Sequence, residues 1–115
     1  MPIFSRWRRL EALPPQRGRD AMPGIYELAN LEKQTIYIGQ SAKDVPNRIR
    51  QHLQKSACVK EQIAFWRYEA SRVPQAEEAR HIALYIERYK VLPLCNEATP
   101  KERDSLKRYL ERSRG

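Results

Sequence analysis

Two short strings, Gly24-Ile25-Tyr26 and Tyr37-Ile38-Gly39, mirror each other across ten residues and restrict what this chain can fold into more than any other feature. Each joins a β-branched residue to a tyrosine, which favours a strand, and each ends outward on a glycine, where the backbone has to allow a close approach. Between them Asn30-Leu31-Glu32-Lys33 supplies turn chemistry. The pattern predicts a hairpin with strands at about 24–29 and 34–39. A turn centred between Leu31 and Glu32 sets Tyr26 directly opposite Tyr37, and directly opposed residues share one face of a sheet. Two phenols then stand side by side.

The flanking segments define the class. Asp44 is a suitable N-cap and Pro46 is tolerated in a first turn, so a helix should run from about Val45 to Gln54 with Val45, Ile49 and Leu53 as its apolar stripe. Ile63 to Ala70, rich in aromatic and β-branched residues, predicts a third strand. Pro74 opens a helix that continues to about Tyr89. Upstream, Phe4, Trp7, Leu10 and Leu13 recur at three-residue spacing, which suits a short helix ended by Pro14-Pro15. Ser56 to Glu61 fits either a turn or one turn of helix. Thr99-Pro100-Lys101-Glu102 is a capping box that begins a terminal helix. Strands interleaved with helices, without the spacing of βαβ units, give an α+β fold: a small antiparallel three-stranded sheet flanked by helices, in one domain over residues 1–115.

Several polar residues fall where chemistry can use them. Arg48 and His52 are four apart, so both leave the same side of their helix, and a fixed guanidinium there can meet a phosphate bidentately. Glu78 lies on the arc of its helix that carries Ile82, Tyr85, Ile86 and Tyr89, where a carboxylate is costly without partners. Its neighbour Glu77 points about a quarter-turn away, towards His81 and Arg88, and reads as solvated. Gly39 would let a phosphate approach backbone amides, and Ser41 and Lys43 follow it in the loop. Each has a plainer use: strand aromatics fill cores, first-turn glutamates favour helix dipoles, and glycines end strands.

Twenty-two Lys and Arg against fourteen Asp and Glu leave a net charge of +8, which favours a polyanionic partner. Trp66, Arg67, Tyr68 and Arg72 add the aromatic and basic mixture that suits nucleic acid, as do the arginines near the N-terminus and the basic C-terminal segment. The two cysteines, Cys58 and Cys95, have no zinc-site spacing. Buried free thiols are expected of them rather than a disulfide, and with them a reduced, cytoplasmic setting. No segment has the apolar length to span a bilayer.

The tyrosine strings, with Arg48, His52, Glu78, Pro93 and Asn96 following in order, resemble the signature of the GIY-YIG endonuclease superfamily. Among its members is the N-terminal incision domain of the bacterial excision-repair nuclease. The resemblance runs from about Pro23 to Asn96 and leaves helical extensions at both ends. It implies a metal-dependent endonuclease that hydrolyses DNA phosphodiester bonds by attack of an activated water, in repair or restriction. It implies Tyr26, Tyr37, Arg48, His52 and Glu78 as catalytic residues, Glu78 as the anchor of Mg2+ or Mn2+, and Gly24, Gly39 and Asn96 in support. Tyr26 and His52 both remain candidates for the base. No separate sequence-reading module is recognisable, so structure-specific or non-specific action on DNA is expected, with a protein partner for targeting, and RNA is a weaker candidate. The competing expectation is a nucleic-acid-binding module that keeps the fold without turnover.

Overall fold

The computed structural model describes residues 6–14 and 21–97. Phe4, most of the loop before the first tyrosine string and the terminal helix expected from Pro100 lie outside them. The elements in chain order are β1 (Arg8–Arg9), a 3-10 turn (Leu10–Ala12), β2 (Gly24–Ala29), β3 (Thr35–Ser41), α1 (Val45–Lys55), α2 (Ala57–Gln62), β4 (Phe65–Ala70), α3 (Pro74–Tyr89) and α4 (Leu94–Glu97). The fold is α+β, as the sequence implies. The sheet, however, has four strands in the order β1-β4-β2-β3, all antiparallel, where three were expected.

The added strand comes from the segment expected to be helical. Arg8 and Arg9 pair with Trp66 and Phe65, the Leu10 amide donates to the Ala64 carbonyl at 3.2 Å, and the Trp66 indole N–H donates to the Arg9 carbonyl at 3.2 Å. The edge of β4 and the buried indole both require hydrogen-bond partners, and an extended segment supplies both where a helix would satisfy only itself. Leu13 still reaches the core.

The hairpin departs from the expected register by two residues. Tyr26 lies opposite Gly39, Tyr37 lies opposite Leu28, and Ile36 is an extra residue in β3, because Leu28 pairs with Tyr37 while Ala29 pairs with Thr35. The connection is longer than a centred two-residue turn. The Asn30 amide donates to the Gln34 carbonyl, the Asn30 side-chain oxygen accepts from the Glu32 and Gln34 amides, and Lys33 has a φ of 61°. Asn30 therefore closes the loop by the local side-chain bonding that asparagine brings to turns, and the bulge at Ile36 absorbs the remaining residue. A shift of two preserves the side-chain alternation, so the tyrosines share a face as diagonal neighbours.

The sheet separates two layers. On the tyrosine face, Tyr26, Leu28, Ile36, Tyr37 and Trp66 pack with Val45 and Ile49 of α1, Val59 of α2 and Cys95 of α4. On the other face Ile38 packs with Ile82, flanked by Tyr85, Ile86 and Leu92. The N-cap of α1 is tied to the start of β2: Asp44 accepts from the Asn47 amide and from the Met22 amide at 3.0 Å, while Val45 N–H donates to the Met22 carbonyl at 2.8 Å. Gly24, Ser41 and Ala70 are cross-strand neighbours, so α1 and α3 start at the same end of the sheet, on opposite faces.

Cys58 and Cys95 form a disulfide, where free thiols were expected. The packing of α2 beside α4 brings their Cα atoms to 5.6 Å, within the range a disulfide needs. The reduced compartment inferred from free thiols loses that support. Among the described residues no helix is long and apolar enough to cross a membrane.

Gly39 is fixed by the ring of its cross-strand partner. A Cβ there would lie 2.5 Å from the Tyr26 hydroxyl oxygen and 2.6 Å from a ring carbon of Tyr37, both buried. Gly39→Ala should therefore cost roughly 1–3 kcal/mol, the range for overpacking a close-packed site. A urea midpoint equal to that of the unchanged protein would show that the rings move aside freely.

Candidate active site

Tyr26, Tyr37 and His52 meet on the face covered by α1. The Tyr26 hydroxyl lies 2.8 Å from His52 Nε2, the Tyr37 ring centroid is 4.5 Å from that of His52, and the two phenol rings are 6.0 Å apart. This assembly follows from the register. With Gly39 opposite it, the Tyr26 ring lies across the neighbouring strand and reaches α1 at the turn that carries His52. The cluster is closed to solvent, since Tyr26 is 0% and Tyr37 1% exposed while His52 is 8% exposed.

Arg48, one turn before His52 and half-buried, donates to Gln51 Oε1 at 3.1 Å. Burial pushes the His52 pKa down to about 4, and the Arg48 guanidinium adds to the effect. The imidazole is therefore neutral at neutral pH. In the tautomer with its proton on Nδ1, Nε2 accepts the phenolic O–H of Tyr26 and fixes the orientation of that oxygen.

Glu78 lies just past the first turn of α3, half-buried. Its helix packs Ile82, Tyr85 and Ile86 on the face opposite the tyrosines. Glu78 shares an end of the sheet with Arg48, because α1 and α3 both begin there. The expected solvated orientation of Glu77 is corrected: Glu77 is half-buried and converges with His81 and Glu69 of β4, their potential ligand atoms all within 4.8 Å of one another. The helix rolls its Glu77–His81 side onto the sheet and leaves Tyr89, the far end of the expected arc, 51% exposed. Burial lowers the His81 pKa, against the pull of Glu27 and Glu69.

Asn96 braces the edge strand. Its Oδ1 accepts from the Ile38 amide at 2.8 Å and its Nδ2 donates to the Ile38 carbonyl at 2.9 Å. One buried side chain thus satisfies both backbone groups that an edge strand leaves open. Gly24 permits an equally close approach of β4, since a Cβ there would meet the Glu69 carbonyl oxygen. Ser41 Oγ is occupied within its loop, accepting from the Lys43 and Asp44 amides. Lys43 is exposed.

Of the aromatic and basic residues expected to face nucleic acid, Trp66 and Arg67 are engaged within the domain while Arg72 is exposed. Trp66 is core. Arg67 pairs with buried Glu27 at 2.9 Å and stacks 4.0 Å from the Trp7 ring centroid, while Thr35 Oγ1 donates to the same Glu27 oxygen at 3.1 Å. Sequence reasoning missed this ion pair and the burial of His81. The signals available were the same-face placement of Glu27 and Arg67, once the strands pair, and the four-residue spacing of Glu77 and His81.

Neither a curated protein nor a solved structure matches the chain. The family model described as the GIY-YIG catalytic domain matches residues 22–90, more than half of the sequence and the whole stretch from the start of the hairpin through α3. With the paired tyrosines, Arg48 and His52 disposed as described, the chain belongs to the GIY-YIG family of nuclease domains.

Proposed function

We propose that the protein is a metal-dependent endonuclease that hydrolyses phosphodiester bonds in DNA, with Tyr26, Tyr37, Arg48, His52 and Glu78 as its working residues. The observation that carries this reading is the 2.8 Å contact between the Tyr26 hydroxyl and His52 Nε2 inside a domain of nuclease type. A phenol with a pKa near 10 is a poor base by itself. Hydrogen-bonded to a neutral imidazole, it can take a proton from the attacking water while passing its own to Nε2. Tyr26 is then the immediate acceptor and His52 the group behind it. Tyr37 holds the His52 ring by packing. Arg48 meets the charge that develops on the non-bridging phosphate oxygens.

Glu78 offers a hard oxygen donor at the end of the sheet it shares with Arg48. That chemistry fits Mg2+ or Mn2+, which take one or two carboxylates and complete their shells with water and phosphate. Such an ion would supply Lewis-acid stabilisation of the phosphate and leaving oxygen. The net charge of +8 suits a DNA backbone, and the absence of a sequence-reading module among the described residues favours structure-specific or non-specific cleavage. A second reading has one observation in its favour. The full burial of both tyrosines suits a domain that keeps them as core and binds nucleic acid without cutting it.

Single-turnover cleavage of duplex, nicked, branched and single-stranded DNA with Mg2+ or Mn2+ separates the two. Tyr26→Phe, which keeps the ring, should slow cleavage by roughly 10²–10⁴-fold, the usual contribution of a positioned base. Glu78→Gln should abolish metal-dependent cleavage while DNA is still bound. Binding without nicking of any of these substrates would establish the binding module instead. In either case affinity should fall steeply with salt as counterions are released, and salt-independent binding would detach the positive charge from DNA.

The neutral state of His52 has a further consequence. Its folded pKa lies below its unfolded value near 6.5, so its burial contributes stability in full above about pH 6.5. That contribution is lost as the pH falls towards 4, up to roughly 3 kcal/mol. Urea midpoints at pH 7.5 and 4.5 should thus fall further for the unchanged protein than for His52→Gln. His81 also titrates, but it is present in both proteins and cancels. Equal pH slopes would mean that His52 is not held neutral.

A further inference from the structure

The sheet face away from the tyrosines carries a polar cluster that the nuclease reading does not use. Glu69 lies opposite Ile25, one residue out of step with the Tyr26–Tyr68 pair, so side-chain alternation puts it on the α3 side of the sheet. Glu77 and His81 are four apart on α3 and therefore face the same way. Helix and strand thus aim two carboxylates and an imidazole at one point, with potential ligand atoms all within 4.8 Å of one another. We propose that Glu69, Glu77 and His81 form a binding site for one divalent transition-metal ion of the zinc class.

Two observations point to a ligand beyond the convergence itself. His81 is only 5% exposed and lies within the field of Glu69, so an imidazole donor is enclosed beside a carboxylate. A buried imidazole held beside carboxylates is the mixed nitrogen and oxygen donor set that a metal ion of this class takes. Among the described residues the carboxylates of Glu69 and Glu77 form no salt bridge, although the chain holds twenty-two Lys and Arg. Two like charges brought together beside an apolar layer repel unless a cation lies between them.

The donor set selects the metal. An imidazole nitrogen disfavours Mg2+ and Ca2+, which prefer oxygen shells, and suits Zn2+. Around a tetrahedral Zn2+ with bonds of 2.0–2.2 Å, donors stand roughly 3.4 Å apart. The observed limit of 4.8 Å closes to this by small rotations of two glutamate side chains. Three protein donors leave a fourth position for water. The site lies across the sheet from the tyrosine cluster and stands whether or not that cluster cleaves DNA.

The test uses the full-length, untagged protein, kept free of reductant so that Cys58 and Cys95 stay paired and cannot bind the metal. After treatment with EDTA, the protein is equilibrated with ZnCl2, desalted and measured for zinc content and melting temperature. About one zinc per chain should be retained, and the melting temperature should rise, since an ion that binds only the folded state stabilises it. A hundredfold excess of Mg2+ should displace little of it. His81→Gln and Glu77→Gln should each reduce retained zinc at least tenfold, while Glu78→Gln should keep it. If His81→Gln fails to fold, Glu69→Gln takes its place, and Co2+ added to the unchanged protein should show the absorption of a four-coordinate ion. No retained zinc in the folded protein, displacement by Mg2+, or equal retention in the Glu77 and His81 variants would overturn the site.

Discussion

Everything on the tyrosine face depends on the cross-strand contact between Tyr26 and Gly39. Antiparallel partners stand close enough that a side chain on one strand overlies the other, and glycine alone leaves room for a six-membered ring there. The phenol can then lie across β3 and reach α1, where His52 receives it. With any larger residue at position 39 the ring must turn away, and the connection between sheet and helix goes with it. Register is therefore the variable that positions the chemistry. It is held by Asn30 in the loop, by the bulge at Ile36, and by the Asn96 side chain that pairs with both backbone groups of Ile38 on the adjoining edge.

The sheet also keeps two polar systems apart. Alternation along β2 sends Tyr26 and Leu28 to the α1 layer and Ile25 and Glu27 to the α3 layer, so one strand contributes to two separate layers. Glu27 is stabilised internally by Arg67 and Thr35, so Arg67 is committed to an ion pair within the domain. Removing one partner would leave a buried charge uncompensated, so this pair holds its layer together through the cost of breaking it. Among the described residues Glu69 and Glu77, in the same layer, form no salt bridge, and that contrast is what suits them to the proposed metal site.

The hairpin, the helix from Val45, the helix from Pro74 and the shared face of the tyrosines were legible because each rests on local chemistry: β-branched residues beside tyrosine, an aspartate N-cap, a proline in a first turn. The direct Tyr26–Tyr37 pairing was not, because it assumed the shortest turn, and neither the Asn30-closed loop nor a bulge announces itself in a periodicity. The face survived that error because the displacement was two residues. The fourth strand was hidden for a different reason. Three-residue spacing of Trp7, Leu10 and Leu13 suits a helix locally, but the unpaired edge of β4, a tertiary demand, decided the outcome. Glu77 was misplaced because a helical arc was drawn through the apolar residues alone, whereas the buried stripe of α3 includes His81. The pairing of Cys58 with Cys95 depended on the docking of two short helices that no pattern connects.

The position of Arg48 joins binding to chemistry. In the free protein its guanidinium lies close enough to His52 to help hold the imidazole at low basicity. That same cation is the natural partner of a phosphate. Once a phosphate neutralises it, the field that opposes protonation of His52 weakens, and the anion itself favours the imidazolium. Under the proposed nuclease reading, the proton affinity of His52 would then rise when a phosphate is bound, and the phenol hydrogen-bonded to it would become a better acceptor for the proton of water. In the free protein the Tyr26 phenol is enclosed by its own sheet and helix and closed off from bulk solvent. On this view, the closed tyrosine cluster and the depressed histidine are two consequences of one arrangement, in which α1 presents Arg48 towards the phosphate and His52 towards the phenol from successive turns of the same helix.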